Sequence, residues 1–373
     1  MAPNLDRASH RGNTLSHAPE PPYGTLERNR STVLTQGRSP LRRLITVFLA
    51  AAALLTACSD DSGSRPLQVT DQLTSATPAP APEPRTEPAG TVVPAPATRD
   101  VTLLPEHHTL ALAAADQPRI ELFDTQDPRG TPRIVQLPAP ANSLHPTPDG
   151  DTLLAALPQA DTVVRIDLRN ARISQRIDVP GDPADALEVG SRLFVSRPGE
   201  DDVAILRDGR IQQRVNGFPG ADDLVRRGST VVVLDRLTTS LTPVEISSGD
   251  KQPALRAGEG ATNAVADEFG RVLAIDTRGE EIMAFAAEPL IMKQRYPVTG
   301  SPYGLAFAPR RDLAWVTLTA RNQLVGYDVA GGEPREVHRL PTVRQPESTA
   351  VNPATGTVYI ASATGDGLQV VRN

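Results

Sequence analysis

Cysteine is almost missing from this chain of 373 residues, because Cys58 is the only one. A lone thiol cannot form an internal disulfide bond, so covalent cross-links do not stabilise the fold. Aromatic residues make up only 3% of the chain. Sugar-binding surfaces usually present stacked aromatic rings, and this scarcity therefore disfavours a carbohydrate-binding role.

Lysine is equally scarce, since Lys251 and Lys293 are the only lysines among 38 basic residues. The net charge is −6, and no long basic run follows Arg43. A nucleic-acid-binding domain needs a basic face, so we expect no nucleic-acid partner. G-x-S-x-G, H-E-x-x-H and P-loop motifs are missing from the sequence, and no Ser, His and acid suggest a triad. The sequence therefore predicts no catalytic residues.

Residues 38–58 have a three-part layout. A basic stretch ends at Arg43, an apolar run covers Leu44 to Leu55, and the small residues Thr56 and Ala57 precede Cys58. This layout is typical of a secretory signal. The run is too short for a transmembrane helix, which needs about 20 apolar residues. The sequence Leu-Thr-Ala-Cys resembles the lipobox of bacterial lipoproteins.

The lipobox resemblance implies signal-peptidase cleavage between Ala57 and Cys58 and attachment of a lipid to the Cys58 sulfur. Two or more acyl chains anchor a protein stably to a bilayer. We therefore expect residues 38–57 to be a lipoprotein signal peptide. The mature protein is expected outside the cytoplasm, attached to the cell membrane. Twin-arginine export is an open alternative, although the residues after Arg43 match that pattern poorly.

The flanking regions are polar. Residues 1–37 are expected to be a disordered N-terminal extension, and a translation start at Val33 is an open alternative. Residues 58–89 are dense in Pro, Ala, Thr and Glu and have few large apolar side chains. Such a segment buries too little apolar surface to offset its ordering entropy. We expect it to be a disordered linker that holds a domain away from the membrane.

Internal repeats organise residues 90–373. Short β-rich runs recur every 38 to 44 residues, beginning at Thr109, Thr152, Arg192, Thr230, Arg271, Leu313 and Thr357. Each repeat contains further short runs in which apolar and polar residues alternate, which is typical of antiparallel strands. The period is that of a propeller blade. The sequence therefore predicts an all-β, seven-bladed β-propeller of four-stranded antiparallel blades.

The best-preserved repeat reads SPYGLAFAPRRD and then AWVTLTARNQLVGYDV. It resembles the YVTN or YncE-like seven-bladed propellers of bacterial envelopes, over roughly residues 90–373. The resemblance defines a fold better than an activity. Quinone-dependent propellers carry repeated tryptophans and sialidase-type propellers carry Asp-box repeats. Neither is present, so we expect no organic cofactor.

The last repeat has three strands instead of four. The segment beginning TVVPAPATRDVTLL at Thr91 follows the same course as RIVQLPAPANSLHP at Arg133. We therefore predict that Gly90 to Pro94 forms the outer strand of the last blade and closes the ring. An open ring would expose unpaired strand edges.

Candidate binding residues lie in the turns before each innermost strand, at one mouth of the central channel. They are Asn142, Asp185, Asp222, Asp223, Asn263, Tyr303 and Glu347. A ring of oxygen atoms would suit Ca²⁺ or the donors of a sugar or peptide. The alternative is that Asp and Asn favour turns because their side chains bond to local amides.

A second metal site is conceivable at His107 and His108 with His145, but the ligand spacing of a zinc site is missing. The sequence favours a monomeric, non-catalytic scaffold that binds an envelope protein, peptide or wall component. The alternative is a cation-dependent, lactonase-like propeller hydrolase that uses the acidic residues at the channel mouth.

Overall fold

The computed structural model describes residues 73–372, which contain 28 β-strands in seven antiparallel sheets of four strands each. Each sheet is one blade, and in six of the seven blades the strands follow one another along the chain from the innermost to the outermost. The all-β, seven-bladed propeller predicted from the repeats is confirmed.

The strands of the first three blades are β2 (Thr98–Leu104), β3 (Thr109–Ala114), β4 (Arg119–Asp124) and β5 (Arg133–Gln136) in blade 1; β6 (Ser143–Pro146), β7 (Thr152–Leu157), β8 (Thr162–Asp167) and β9 (Arg172–Asp178) in blade 2; and β10 (Asp185–Val189), β11 (Arg192–Arg197), β12 (Asp202–Arg207) and β13 (Arg210–Asn216) in blade 3.

The next three blades contain β14 (Ala221–Arg227), β15 (Thr230–Asp235), β16 (Ser240–Glu245) and β17 (Leu255–Arg256) in blade 4; β18 (Ala261–Ala266), β19 (Arg271–Asp276), β20 (Glu281–Ala287) and β21 (Leu290–Pro297) in blade 5; and β22 (Pro302–Ala308), β23 (Leu313–Leu318), β24 (Gln323–Asp328) and β25 (Arg335–Pro341) in blade 6. Short 3₁₀ turns cover Pro105–His107, Pro158–Ala160, Pro198–Glu200, Pro309–Arg311 and Thr319–Arg321.

Blade 7 joins the two ends of the propeller. Its strands are β26 (Pro346–Val351), β27 (Val358–Ser362), β28 (Leu368–Val371) and β1 (Thr91–Val93). Strand β1 pairs antiparallel with β28, so that Thr91 lies opposite Val370 and Val93 lies opposite Leu368. We call β1 the latch. The predicted closure by Gly90 to Pro94 is confirmed.

The hydrophobic core lies between neighbouring blades. On β7, Leu153, Ala155 and Leu157 pack against blade 1, whereas Leu154 and Ala156 pack against blade 3. Side chains alternate between the two faces of a strand, and here both faces are covered. This explains why the second strand of each blade is a continuous apolar run rather than an alternating one.

Residues 73–89 differ from the expected disordered linker. They form no helix or strand, but they pack on the propeller, where Ala76 and Ala81 are buried. We call residues 74–83 the strap. Small side chains and hydrogen-bonded main-chain groups allow this segment to pack without large apolar residues. Local composition does not reveal such contacts.

Residues 1–37, the predicted signal peptide at 38–57 and positions 58–72 of the predicted linker lie outside the described residues. Within residues 73–372, no helix has the length and apolar character needed to cross a membrane.

Candidate functional site

A cavity of 860 Å³ follows the central channel. Residues of the innermost strands β2, β6, β14, β18, β22 and β26 line it. Pro78 and Pro80 of the strap line the end at which the innermost strands begin. We call this end the channel mouth. A few polar groups in a cavity of this size are typical of a ligand site.

The seven predicted site residues fall into two groups. Six of them line the cavity: Asn142, Asp222, Asp223, Asn263, Tyr303 and Glu347. The seventh, Asp185, is only 1% exposed and lies behind His145, whose Nε2 is 3.2 Å from its Oδ1. The pattern therefore led to the channel, but all of these residues except Asn142 lie in the first residues of the innermost strands rather than in the turns before them, and Asp185 lies in the wall rather than on the surface.

Several channel carboxylates join neighbouring blades. Each accepts a backbone N–H from another innermost strand: Asp100 from Leu144 at 2.8 Å, Asp185 from Leu224 at 2.9 Å, and Asp223 from Ala264 at 3.0 Å. These oxygens satisfy buried amide donors, which would be costly to leave unpaired. Their first role is structural.

Two asparagines also link blades. Asn142 Nδ2 donates to the Ala184 carbonyl at 2.8 Å, and Asn263 Nδ2 donates to the Tyr303 carbonyl at 2.9 Å. The turn-forming explanation considered for these residues is therefore incomplete, because the bonds cross between blades.

His145 carries a positive charge in this network. Burial alone would lower its pKa, but the nearby charge of Asp185, with those of Asp100 and Asp223, raises the pKa to about 9. Burial tends to raise the pKa of Asp185, and the His145 charge outweighs it, so that this pKa is lowered. The pair is therefore charged at neutral pH.

Asp100 and Asp223 behave in the opposite way. Burial raises the pKa of Asp100. Burial also raises the pKa of Asp223 well above its usual value, and the negative charges of Asp222 and Asp185 add to the effect. Crowded carboxylates ionise less easily than isolated ones, so both carboxyl groups keep their protons to a higher pH than usual.

Arg236 makes the most contacts described at the mouth, and it was not among the predicted residues because it follows the second strand of its blade rather than preceding the first. Its Nη1 lies 2.8 Å from Asp222 Oδ2, while Nη2 donates to the Tyr303 hydroxyl at 3.0 Å and to the Ala76 carbonyl at 3.2 Å. Among the described residues, its buried Nε has no hydrogen-bond partner. Burial lowers the pKa of Arg236, but the Asp222 charge outweighs it and keeps the guanidinium protonated.

Glu347 lies beside the strap. Its Oε1 accepts a hydrogen bond from Gln345 Nε2 at 2.7 Å. Burial raises the pKa of Glu347 and also that of Tyr303. The mouth therefore offers amide, hydroxyl and guanidinium donors rather than a group of bare carboxylates.

The histidines considered for a second metal site are not brought together. His107 Nε2 lies 2.8 Å from Asp151 Oδ1, whereas His145 pairs with Asp185. Over residues 73–372, no three His, Cys, Asp or Glu side chains are arranged to hold a metal ion. Ala57 and Cys58, the predicted cleavage and lipidation positions, lie outside that range.

No protein-family model and no curated protein matches the chain. Solved structures do match it. A chain of Kuenenia stuttgartiensis hydrazine synthase is 15% identical, with a TM-score of 0.63 over 77% of this chain and 99% of that one. A chain of the mitotic checkpoint complex is 12% identical, with a TM-score of 0.67 over 80% and 98%.

A catalytically inactive virginiamycin B lyase from Staphylococcus aureus, solved with quinupristin, is 12% identical, with a TM-score of 0.63 over 77% of this chain and 98% of that one. These structural neighbours therefore include two enzymes and one component of a protein assembly. At such low identity the likeness shows the fold alone.

Proposed function

We propose that this protein is a lipid-anchored β-propeller outside the cytoplasm, where it acts as a non-catalytic binding or assembly scaffold of the cell envelope. The channel mouth is its binding surface. The ligand is an envelope protein, peptide or wall component.

One observation carries the scaffold role: the channel carboxylates already have structural partners. Asp100, Asp185 and Asp223 accept backbone amides across blades, and Asp222 pairs with Arg236. A hydrolytic metal site or general base would need such groups to face the substrate. The mouth instead presents fixed hydrogen-bonding side chains, which suits recognition.

The anchor rests on the lipobox-like sequence that ends at Cys58. In cells supplied with labelled palmitate, the full chain is expected in the membrane fraction and labelled. A Cys58→Ala variant should carry no label and leave that fraction. An unlabelled parent chain would remove the anchor from the proposal.

The binding surface is tested by photo-cross-linking in the native host. Arg99 lines the channel and is exposed, and a cross-linking residue placed there should yield a discrete adduct. Ile134 is 42% exposed on the outer strand of blade 1 and serves as the matched control. Equal adducts at both positions, or none at Arg99, would contradict binding at the channel.

The cation-dependent hydrolase is the alternative. It requires Asp222 and Glu347 to bind a metal, although Asp222 already neutralises Arg236. Calcium titration with thermal unfolding separates the two proposals. The scaffold predicts no calcium-dependent shift in the melting temperature, whereas the hydrolase predicts a shift that disappears in Asp222→Ala and Glu347→Ala.

A further inference from the structure

We propose that the channel mouth is a binding site for extended peptides in which alanine alternates with proline, and that the strap occupies this site within the same chain. This inference rests on the proposed function, because it names the ligand class of that surface.

The propeller holds the strap mainly through its main chain, and one exposed ion pair joins Arg344 to Glu83 at 2.8 Å. Side chains from blades 4 to 6 and from the turns that follow blades 5 and 6 donate to its carbonyls or accept from its amides: Arg278 to Thr74 O at 3.0 Å, Arg236 to Ala76 O at 3.2 Å, Ser301 Oγ from Ala79 N at 2.9 Å, Gln345 Nε2 to Ala79 O at 3.1 Å, Gln345 Oε1 from Ala81 N at 2.7 Å, and Asn322 to Pro82 O at 2.7 Å. Hydrogen bonds to main-chain groups recognise the conformation of the peptide backbone and not the identity of its side chains.

The spacing of these contacts matches a proline in every second position. Pro78, Pro80 and Pro82 have no N–H group, so they leave no donor unpaired. Ala79 and Ala81 lie between them, and both of their N–H groups find an acceptor on the propeller. Proline also restricts the unbound chain to extended conformations, which lowers the entropy lost on binding.

The site also selects small side chains. Ala76 is 4% exposed and Ala81 is 6% exposed. Gly260 provides the space beside Ala76, since a Cβ at Gly260 would lie 2.6 Å from the Cβ of Ala76. A larger residue at either strap position would collide with the propeller.

Three of the contacting residues have an unusual backbone. Ser301, Asn322 and Gln345 are all buried and have φ angles of 56°, 49° and 50°. The same left-handed conformation occurs at equivalent turn residues of other blades, such as Asp161, Asp182 and Glu280, so it belongs to the blade repeat. In this protein the conformation directs three side chains of blade 6 and its flanking turns toward one strand-like segment.

Asn322 is an asparagine at a position where blades 2 and 5 carry an acidic residue. Asp161 and Glu280 also precede the third strand of a blade, and each carboxylate accepts two backbone amides of a neighbouring turn. Asn322 keeps the acceptor role, because its Oδ1 accepts the Gln345 N–H at 3.1 Å. The amide adds a donor that a carboxylate lacks, and this donor bonds to Pro82.

Because recognition runs mainly through the main chain and two small side chains, with one exposed ion pair at Glu83, a second peptide of the same pattern can replace the strap. The strap has an advantage, since a tethered segment competes at an effective concentration of about 1 mM. The site is therefore closed at rest and opens to a partner that binds with higher affinity or is locally concentrated.

The test uses the full chain and a fluorescent peptide with the sequence of residues 74–84. An Ala76→Gln, Ala81→Gln double variant places larger neutral side chains at the two buried positions and should expel the strap. Thr77→Gln is the matched control, because Thr77 is exposed. If the double variant retains the strap, an Ala79→Pro, Ala81→Pro variant removes both strap N–H donors and leaves the propeller side of the site unchanged.

We expect saturable binding of the peptide to the double variant and no binding to the parent or to Thr77→Gln at micromolar peptide. Adding Gln345→Ala should weaken binding about tenfold, which corresponds to about 1.4 kcal/mol for the lost hydrogen bonds. A peptide N-methylated at the positions of Ala79 and Ala81 should not bind.

Fast amide exchange in the strap establishes that it has been expelled. An expelled strap without peptide binding in both variants would overturn the proposal, as would equal binding of the N-methylated peptide. Membrane attachment is tested separately: Cys58→Ala added to the double variant should leave peptide binding unchanged. Failure of the peptide site is therefore distinguishable from failure of the anchored scaffold.

Discussion

The latch and the strap are neighbouring segments that join the propeller in different ways. The latch pairs through a backbone ladder with β28, and Val93 is 2% exposed in a core cluster shared with Leu368 and Val370. The strap has no ladder and is held by side chains of the propeller. The latch is therefore part of the fold, whereas the strap behaves as a bound peptide.

The difference shows how a ring fold can separate stability from recognition. A ladder strand completes a sheet and removes an exposed edge. A segment bound by side chains leaves the seven sheets complete when it departs. Function can therefore use the strap without opening the ring.

Removing the latch should give the largest effect. Deletion of residues 88–96 exposes the edge of β28 and the apolar surface around Val93. We expect the melting temperature to fall by about 10 °C or more in thermal unfolding followed by circular dichroism. An unchanged melting temperature would contradict the role of β1 in ring closure.

Alkaline pH should weaken the ring but leave the strap bound. The folded pKa of His145 is about 9, above its unfolded value of about 6.5. The stabilising effect is complete below pH 6.5 and is lost as the pH rises through 9. The raised pKa values of Asp100 and Asp223 also make stability fall as the pH rises, but their effect begins at the unfolded value of about 3.9 and ends at each folded pKa.

We expect a loss on the order of 1–2 kcal/mol between pH 6.5 and 9.5, because solvent screens the exposed part of His145. Denaturant unfolding at several pH values measures it, and His145→Gln should flatten the profile. The amide protection factors of Ala79 and Ala81 should stay constant, because their acceptors, Ser301 and Gln345, do not titrate. If the unfolding free energy of the ring and the amide protection of the strap fell together, the two regions would not be independent.

Expelling the strap should cost less than removing the latch. The Ala76→Gln, Ala81→Gln variant loses several hydrogen bonds but regains the conformational entropy of the segment. We expect a decrease of about 2–4 °C in the melting temperature, measured beside Thr77→Gln. A decrease as large as that of the latch deletion would show that the strap belongs to the folding unit.

The smallest effect is expected from Asn322→Asp. This change retains the acceptor for the Gln345 N–H and removes only the donor to Pro82. Hydrogen exchange at Ala81 should accelerate by about fivefold, while the melting temperature changes by less than about 2 °C. A destabilised ring with unchanged exchange would assign Asn322 a purely structural role.

The sequence was sufficient to predict the ring, because the second strand of each blade is covered on both faces and is therefore an apolar run such as TLLAAL. The closing strand was also predictable, because the sequence that begins at Thr91 follows the same pattern as the sequence that begins at Arg133. The turns before the innermost strands also led to residues that line the channel.

The remaining features depend on contacts between distant parts of the chain. Arg236, Gln345 and Asn322 become binding residues only because the ring brings them to the strap, which lies 160 to 266 residues away in the sequence. The composition of residues 73–89 indicated disorder because these residues have few large apolar side chains. Composition does not reveal the main-chain hydrogen bonds that this segment makes with distant loops.

The most direct test is amide exchange at Ala79 and Ala81 in the full chain during titration with an unlabelled peptide of residues 74–84. Our account predicts strong protection without peptide and progressive loss of protection as the peptide approaches about 1 mM and replaces the strap. Exchange at the rate of an unstructured chain before any peptide is added, or protection that the peptide never reduces, would contradict it.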